Sequence, residues 1–173
     1  MGKETSIVEK LELVIPGFHG YKKKELIRED DRLVRGKVAD TLALARREME
    51  RALQRCAMVG CAQMVAIDNL RKKLMALESR VRHAEAGYRG YFDRVKFKEE
   101  ELNRLLEYDA KMIELAEEVL NEVKALNGQI ANPQALGMAV LNLDDKLNSF
   151  EEILSKRMSF AAGEWDGSGH RMG

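Results

Sequence analysis

The stretch that decides the predicted fold runs from Asp93 to Ile130 and reads DRVKFKEEELNRLLEYDAKMIELAEEVLNEVKALNGQI. Within it, apolar residues and one carboxylate follow one another at spacings of three and four: Leu102, Leu105, Asp109, Met112, Ala116, Val119, Val123, Leu126 and Ile130. That spacing is typical of an α-helix packed against other helices. Leu106, Ile113 and Leu120 widen the series into a broad apolar face, which favours a helical bundle over a two-stranded coiled coil.

Three other segments carry the same periodicity. Their apolar positions are Val38, Leu42, Ala45, Met49, Ala52, Cys56 and Val59, then Ile67, Leu70, Leu74, Leu77, Val81 and Ala84, and last Leu136, Val140, Leu143, Leu147, Phe150 and Leu154. Asn132 and Pro133 supply an N-cap and a first-turn proline for the last of these helices. Each segment therefore predicts a long helix with one face in a shared core.

The two ends of the chain complete the predicted domain. Residues 1–15 indicate a short amphipathic helix with Ile7, Leu11 and Val14 on the face that docks on the bundle. From Ser159 the periodicity stops and glycines follow, which is typical of a flexible tail. The sequence therefore predicts an all-α fold. It is an elongated, antiparallel, coiled-coil-like helical bundle of four main helices plus the short N-terminal helix, with one domain over residues 1–158 and a tail over 159–173.

The course of the chain between Lys22 and Ala86 has two interpretations. In the first, Gly60 ends one helix in a tight turn and the next helix returns as an antiparallel hairpin. In the second, one helix of about 65 residues runs straight through and reaches roughly 98 Å. Typical helix lengths in globular domains favour the hairpin. Gly36, inside the first long segment, is a candidate kink.

Composition excludes several classes of protein. The chain has 173 residues, 34% of them charged, and a net charge of zero, so bulk electrostatics favour neither nucleic acid nor an anionic membrane. No apolar run approaches the roughly 20 residues that span a bilayer, and the charged N-terminus does not resemble a signal peptide. Cys56 and Cys61, spaced C-x4-C in an apolar run, predict two buried free thiols. These features predict a cytoplasmic protein.

Two groups of polar residues need an interpretation. The run from Arg28 to Arg32 mixes charges of both signs, which predicts a solvated face. Asp109 instead occupies a core position of the central helix, so we expect it to be buried and paired with an Arg, Lys or Tyr from a neighbouring helix. A functional carboxylate is the alternative, but no second acid stands one turn away on the same face.

The sequence contains no set of residues with a catalytic or ligand-binding spacing. Its three histidines, His19, His83 and His170, are scattered, and the Glu-x-x-His pair of di-iron bundles is absent. No glycine loop has the spacing of a P-loop or of a dinucleotide-binding site. We therefore expect a protein that is not an enzyme, with no catalytic residues, no metal and no cofactor.

Two loops that combine glycine with aromatic residues form the candidate site. They are Gly17-Phe18-His19-Gly20-Tyr21 and Gly87-Tyr88-Arg89-Gly90-Tyr91. If the chain turns at Gly60, both loops lie at the same end of the bundle and form a composite cap. Aromatic and arginine clusters concentrate binding energy, so the candidate partner-binding residues are Phe18, His19, Tyr21, Lys22, Tyr88, Arg89, Tyr91 and Phe92. The alternative is that the aromatic rings only close the end of the core.

The segments that contain these loops resemble two blocks of a protein family. One is Ile15-Pro16-Gly17-Phe18-His19-Gly20-Tyr21-Lys22-Lys23-Lys24-Glu25, running on to Arg32, and the other runs from Gly87 to Asp109. They are similar to the PGY-x-GYK-x-KE and GY-x-G-x-FD…K-x-EE-x-L-x-RL-x-x-YD blocks of an uncharacterised family of small helical prokaryotic proteins. Phe18 stands where that family usually has Tyr. The resemblance covers residues 15–125 and implies an all-α architecture, but no activity and no site.

Two classes of function fit these features. The first is a non-catalytic helical interaction or scaffold protein that forms a homo-oligomer or docks on a larger assembly, since apolar faces on helices of unequal length leave part of a face uncovered. The alternative is a nucleic-acid or ribonucleoprotein-binding protein that uses a basic face and loop aromatics. Its basic residues would be Lys22, Lys23, Lys24, Arg46, Arg47, Arg51 and Arg55. The net charge of zero favours the first class.

Overall fold

The computed structural model describes residues 2–84 and 98–162 and, within them, the side chains from Ile7 onward. It contains α1 (Gly2–Val14), a 3₁₀ turn (Lys24–Leu26), α2 (Ile27–Val59), α3 (Met64–His83), α4 (Glu99–Asn127) and α5 (Pro133–Ala161). No strand occurs in these two ranges, and the helices pack against one another. The predicted all-α helical bundle is therefore confirmed.

The four long helices occupy the corners of the bundle. α2 packs against α3 and α4, and α5 packs against α4 and α3, so each long helix has two long neighbours. α1 lies against α4. The apolar stripes face inward and form one continuous core, as their spacing of three and four residues requires. The bundle thus consists of two hairpins, α2–α3 and α4–α5, lying side by side.

The chain turns at Gly60, which confirms the hairpin and excludes a single helix from residue 22 to residue 86. Gly60 adopts left-handed backbone angles, φ 68° and ψ 42°, and its N–H donates to the carbonyl of Cys56. The Cys61 N–H donates to the same carbonyl at 3.0 Å. Glycine adopts these angles without the steric cost that a Cβ atom brings, so it ends α2 and lets α3 fold back.

The same turn pairs the two cysteines. The structure joins Cys56 and Cys61 in a disulfide, so the prediction of two free thiols is wrong. The reason is local geometry: the left-handed turn at Gly60 brings Cys61 back over the last turn of α2, with 4.9 Å between the two Cα atoms. Cys56 is buried, as expected, whereas Cys61 is half-buried.

α4 presents the predicted apolar face to the other helices. The members of the series from Leu105 to Ile130 are buried, and Leu102 is half-buried. Asp93 and the four residues after it lie outside the described residues, and the described helix begins at Glu99. Three glutamates stand in its first turn, where negative charge is favourable because the exposed N–H groups are partly positive.

The ends of the chain differ in detail from the sequence-based prediction. In α1 the buried residues are Val8 and Leu11, followed by Ile15 just after the helix, whereas Val14 is exposed. At the other end, α5 continues past Ser159 to Ala161, and Phe160 is buried in the core. The domain therefore extends beyond the predicted boundary at residue 158. The predicted tail from residue 163 onward lies outside the described residues.

Candidate functional site

The N-terminal part of α2 places two carboxylates inside the bundle. Asp30 and Asp31 are fully buried, so the predicted solvated face over residues 28–32 is wrong for these two side chains. The reason is helical geometry, since they precede the buried Val34 and Arg35 by four residues and share their inward face. A buried carboxylate is tolerated only when hydrogen-bond donors replace its water, and both carboxylates have such donors.

Asp30 holds the loop between α1 and α2 through main-chain donors. Its Oδ1 accepts a hydrogen bond from the His19 N–H and its Oδ2 accepts one from the Tyr21 N–H, each at 2.9 Å. The His19 ring also brings Nδ1 within 3.3 Å of the Asp30 Oδ1. Tyr21 has φ 59°, a left-handed conformation that residues other than glycine rarely adopt. The contacts with Asp30 hold the loop in this conformation.

Asp31 joins two arginines from different helices. Its Oδ2 accepts a hydrogen bond from Nε of Arg35 at 2.9 Å, and its Oδ1 accepts one from Nη2 of Arg157 on α5 at 2.8 Å. Arg35 also donates from Nη1 to the carbonyls of Val81 and Arg82, at 3.2 and 3.0 Å. These carbonyls belong to the last turn of α3, where a cation is favourable. Arg35 therefore fastens the end of α3 to the start of α2.

Asp109 contributes the third carboxylate, from α4. It is fully buried; its Oδ2 accepts a hydrogen bond from the Tyr21 hydroxyl and its Oδ1 accepts one from Nε of Arg157 at 2.5 Å. Nη2 of Arg157 also lies 3.4 Å from the Tyr21 hydroxyl oxygen. The contact with Arg157 agrees with the expectation of a buried Asp109 paired with an Arg, Lys or Tyr from a neighbouring helix, and Tyr21 adds a donor from the loop. The buried cluster consists of Tyr21, Asp30, Asp31, Arg35, Asp109 and Arg157.

Burial and neighbouring charges shift two pKa values in the buried cluster. Burial raises the pKa of the Asp109 carboxyl, and the Arg157 guanidinium offsets part of that rise. Burial also raises the pKa of Tyr21 well above its ordinary value, and the Asp109 carboxylate adds to the effect. The phenol therefore keeps its proton and remains the donor of the Tyr21–Asp109 hydrogen bond.

The buried cluster is closed to solvent and to ligands. The side chains of Asp31, Asp109 and Arg157 are at most 1% exposed. In the described parts of the chain, no three His, Cys, Asp or Glu side chains are placed to hold a metal ion. The cluster instead links the α1–α2 loop with α2, α3, α4 and α5. Its geometry suits it to fix the relative positions of these elements.

Sequence reasoning missed Arg157, Asp31 and Arg35, although a signal was present. Arg157 follows Leu154 by three residues and precedes the buried Ala161 by four, so it continues the apolar stripe of α5. The same rule that identified Asp109, a charged residue at a core position of a helix, applies to Arg157. Asp31 and Arg35 stand in a segment whose apolar pattern is weak, which concealed their inward position.

The predicted partner-binding residues fall into three groups. Phe18 and Tyr21 are only 5% and 1% exposed and make an edge-to-face contact at 5.4 Å between ring centroids, so their rings close the core and expose very little surface to a partner. His19 is partly exposed and Lys22 is exposed. The remaining candidates, Tyr88, Arg89, Tyr91 and Phe92, lie outside the described residues, so the composite cap stays a prediction.

A groove runs beside the α1–α2 loop. It has a volume of about 610 Å³ and lies between α1, the loop and the start of α4. Its floor is apolar, formed by Val8, Tyr21, Leu102 and Leu106, whereas its rim carries charges of both signs. A mixed rim of this kind selects no single charge class of ligand.

The end of the bundle away from the buried cluster carries exposed apolar side chains. Met58 and Val65, on either side of the Gly60 turn, are 86% and 74% exposed. The first turns of α5 lie next to this turn, since the side-chain nitrogen of Gln63 is 3.8 Å from where a Cβ atom would stand on Gly137. The turn-end patch consists of the exposed residues Met58, Val59, Met64, Val65 and Met138.

Comparison with known proteins gives no relative. No protein-family model matches the chain, and no curated protein and no solved structure matches it significantly. The resemblance of residues 15–125 to small helical prokaryotic proteins therefore stays a prediction. Any functional conclusion must rest on the geometry of this chain itself.

Proposed function

We propose that this chain is a non-catalytic helical interaction protein that self-associates or docks on a larger assembly. The observation that supports the proposal most directly is the turn-end patch. Single exposed apolar residues are common, but several large ones gathered at one end of a domain are typical of an interaction site. Three of the five residues are methionines, whose flexible side chains adapt to different partner surfaces.

The division of the molecule into two ends also supports the proposal. At one end the buried cluster uses all of its charged groups to hold the helices together, and no solvent reaches Asp31, Asp109 or Arg157. At the other end large apolar side chains are exposed to water. Covering them with a partner surface lowers the free energy of the system. A rigid bundle with one uncovered apolar end is suited to binding another protein.

Analytical ultracentrifugation at about 1 M salt tests the proposal, because salt of this strength screens interactions between exposed charges more than about 3 Å apart. We expect the average mass of the wild type to rise with concentration in the tens of micromolar. Met58→Ser and Val65→Ser should each reduce that rise. Leu13→Ser on α1 is the matched control, since Leu13 is 84% exposed but lies outside the turn-end patch. A wild-type protein that stays monomeric contradicts self-association.

The alternative of nucleic-acid binding rests on exposed basic residues. Arg47, Arg51 and Arg55 are exposed along α2, and Lys22 to Lys24 are exposed in the loop. Arg46 is less available, because its guanidinium is bound to Glu78 and Glu50, each at 2.9 Å. A salt titration of binding to mixed RNA and DNA decides this point, since phosphate contacts weaken steeply as salt rises. Absence of a salt-dependent affinity removes the alternative.

The redox state of Cys56 and Cys61 in cells tests the cytoplasmic location expected from the sequence. No helix in the described ranges is long and apolar enough to cross a membrane. The disulfide between Cys56 and Cys61 favours an oxidising compartment, because disulfides are rare in the cytosol. Rapid alkylation of free thiols in cells, followed by mass spectrometry, separates the two cases. Two alkylated cysteines support the cytoplasm, and an unmodified pair contradicts it.

A further inference from the structure

The two hairpins of the bundle carry opposite charge. Residues 27–83, which contain α2 and α3, have thirteen Lys and Arg against eight Asp and Glu, for a net charge of +5. Residues 99–161, which contain α4 and α5, have six Lys and Arg against thirteen Asp and Glu, for a net charge of −7. The overall net charge of zero thus conceals a strong separation of charge between the halves of the molecule.

The division persists at the surface. Among exposed residues, 27–83 present six basic and two acidic groups, whereas 99–161 present three basic and seven acidic groups. Arg47 on α2, Glu117 on α4 and Asp145 on α5 are exposed and form no ion pair with any described residue. These charges are available to a partner.

The packing order turns this division into two opposite faces. α2 and α3 are neighbours and so are α4 and α5, and the hairpins meet along the α2–α4 and α3–α5 contacts. The outward side of α2–α3 therefore forms a basic face, and the outward side of α4–α5 forms an acidic face on the other side of the bundle. Exposed Leu44 lies three residues before Arg47 on the basic face, and exposed Leu141 lies four residues before Asp145 on the acidic face.

The two charge types already pair within one molecule. Where α3 meets α5, Nζ of Lys73 lies 3.4 Å from Asp144 and Nη1 of Arg80 lies 3.1 Å from Glu151. Complementary charge thus accompanies hairpin-to-hairpin packing inside the bundle. The outward faces repeat the same complementarity. α1 lies against α4, but Arg47, Glu117 and Asp145 remain exposed.

We propose that a second copy of this chain binds here, with the basic face of one copy against the acidic face of the next. The inference deepens the proposed function and rests on it, since it names the partner and a second surface. Charge complementarity sets the orientation, and Leu44 and Leu141 supply the apolar contacts at the centre of the interface. Because the two surfaces differ, the contact is heterologous and can add further copies in a chain.

Charge reversal with complementation tests the stacking. All variants carry Met58→Ser and Val65→Ser, which remove the two most exposed members of the turn-end patch. One variant adds Arg47→Glu and Arg51→Glu and has two acidic faces; the other adds Glu117→Lys and Asp145→Lys and has two basic faces. In about 0.01 M salt, exposed charges interact over about 30 Å before they are screened. The parent should then show an average mass at least twice that of one chain. Each reversed variant alone should be monomeric, and an equimolar mixture should regain the parent mass.

The control separates a specific face from overall charge. Lys22→Glu with Lys24→Glu changes the net charge as much as the basic-face reversal does, but at the loop, and should retain association. Every reversed position is exposed, so circular dichroism and melting temperature should match the parent. A monomeric parent at low salt, a reversed variant that still associates, or a mixture that stays monomeric overturns the stacking. The association of the turn-end patch at about 1 M salt is measured separately, so either proposal can fail while the other holds.

Discussion

Asp109 shows how one residue can specify a helical bundle. An apolar residue at its position would pack equally well in several registers, whereas a buried carboxylate is tolerated only where donors meet it. Tyr21 and Arg157 provide those donors from the loop and from α5. A shifted register of the loop, α4 or α5 would leave at least one of these buried polar groups without its partner. Such packings should therefore be disfavoured relative to this one.

Asp109→Ala should destabilise the protein strongly. The substitution leaves Arg157 buried with one fewer carboxylate and Tyr21 without an acceptor, and loss of one partner of a buried pair typically costs about 3–5 kcal/mol. For a chain of this length the melting temperature should fall by roughly 6–20 °C. Calorimetry measures the change. Glu117→Ala, an exposed acid on the same helix, should stay within about 0.5 kcal/mol of wild type. A similar small change for Asp109→Ala would contradict its structural role.

Tyr21 should make the protein sensitive to alkaline pH. Its folded-state pKa is raised, so the native protein keeps a proton that the unfolded chain releases above about pH 10. The unfolded state then binds fewer protons than the native state, and the free energy of unfolding falls as pH rises. Urea denaturation between pH 8 and 11 should show a steeper loss for wild type than for Tyr21→Phe. Equal slopes would mean that Tyr21 titrates normally in the folded protein.

At the scale of elements, Gly60 and Gly36 differ although both lie in or next to α2. Gly60 requires a left-handed backbone, which costs other residues roughly 1–2 kcal/mol. Gly36 is helical, and a Cβ atom built on it meets no atom within 4 Å. The same mutation should therefore have opposite effects at the two positions.

Gly60→Ala should lower the free energy of unfolding by roughly 1–2 kcal/mol. Gly36→Ala should raise it by about 0.5–1 kcal/mol, because alanine loses less backbone freedom on entering a helix. Urea denaturation of the oxidised protein measures both changes, so that the disulfide is the same in all samples. Two changes of the same sign would contradict the assignment of the turn.

The helices themselves could be predicted because their signal is local. The stripes of α3 and α4 repeat without interruption, and the asparagine and proline at the start of α5 mark its boundary, where the Asn132 side chain accepts a hydrogen bond from the Ala135 N–H at 3.1 Å. The start of α2 could not be predicted in the same way. Its inward face carries Asp30, Asp31 and Arg35, which resemble a solvated surface until the loop and α5 supply partners. The disulfide depended on the exact turn at Gly60.

At the scale of the whole molecule, the buried cluster and the turn-end patch divide the bundle by role. The cluster joins both hairpins at one end, and the continuous core joins them along their length. The turn end is held by the Gly60 turn and by a contact of Arg55 with the Asn127 side-chain oxygen at 3.1 Å. A partner at the turn-end patch can therefore bind without disturbing the cluster.

Arg157→Met should weaken the whole bundle and not α5 alone. Arg157 meets Asp31 on α2 and Asp109 on α4, so its loss leaves two buried carboxylates short of a donor, at a cost of about 3–5 kcal/mol. In a single cooperative core the slowest amides exchange through global unfolding, so those of all four long helices should exchange roughly 10²- to 5 × 10³-fold faster.

Hydrogen exchange followed by mass spectrometry or NMR measures these rates. Lys156→Met is the matched control, because the neighbouring Lys156 is exposed and, among the residues that the structure describes, its salt bridge is to Glu152 on its own helix. It should leave the slowest amides unchanged. If Arg157→Met accelerates exchange in α5 and the α1–α2 loop but not in α2–α3, the two hairpins open independently. The buried cluster would then tie α5 down locally without making the bundle one cooperative unit.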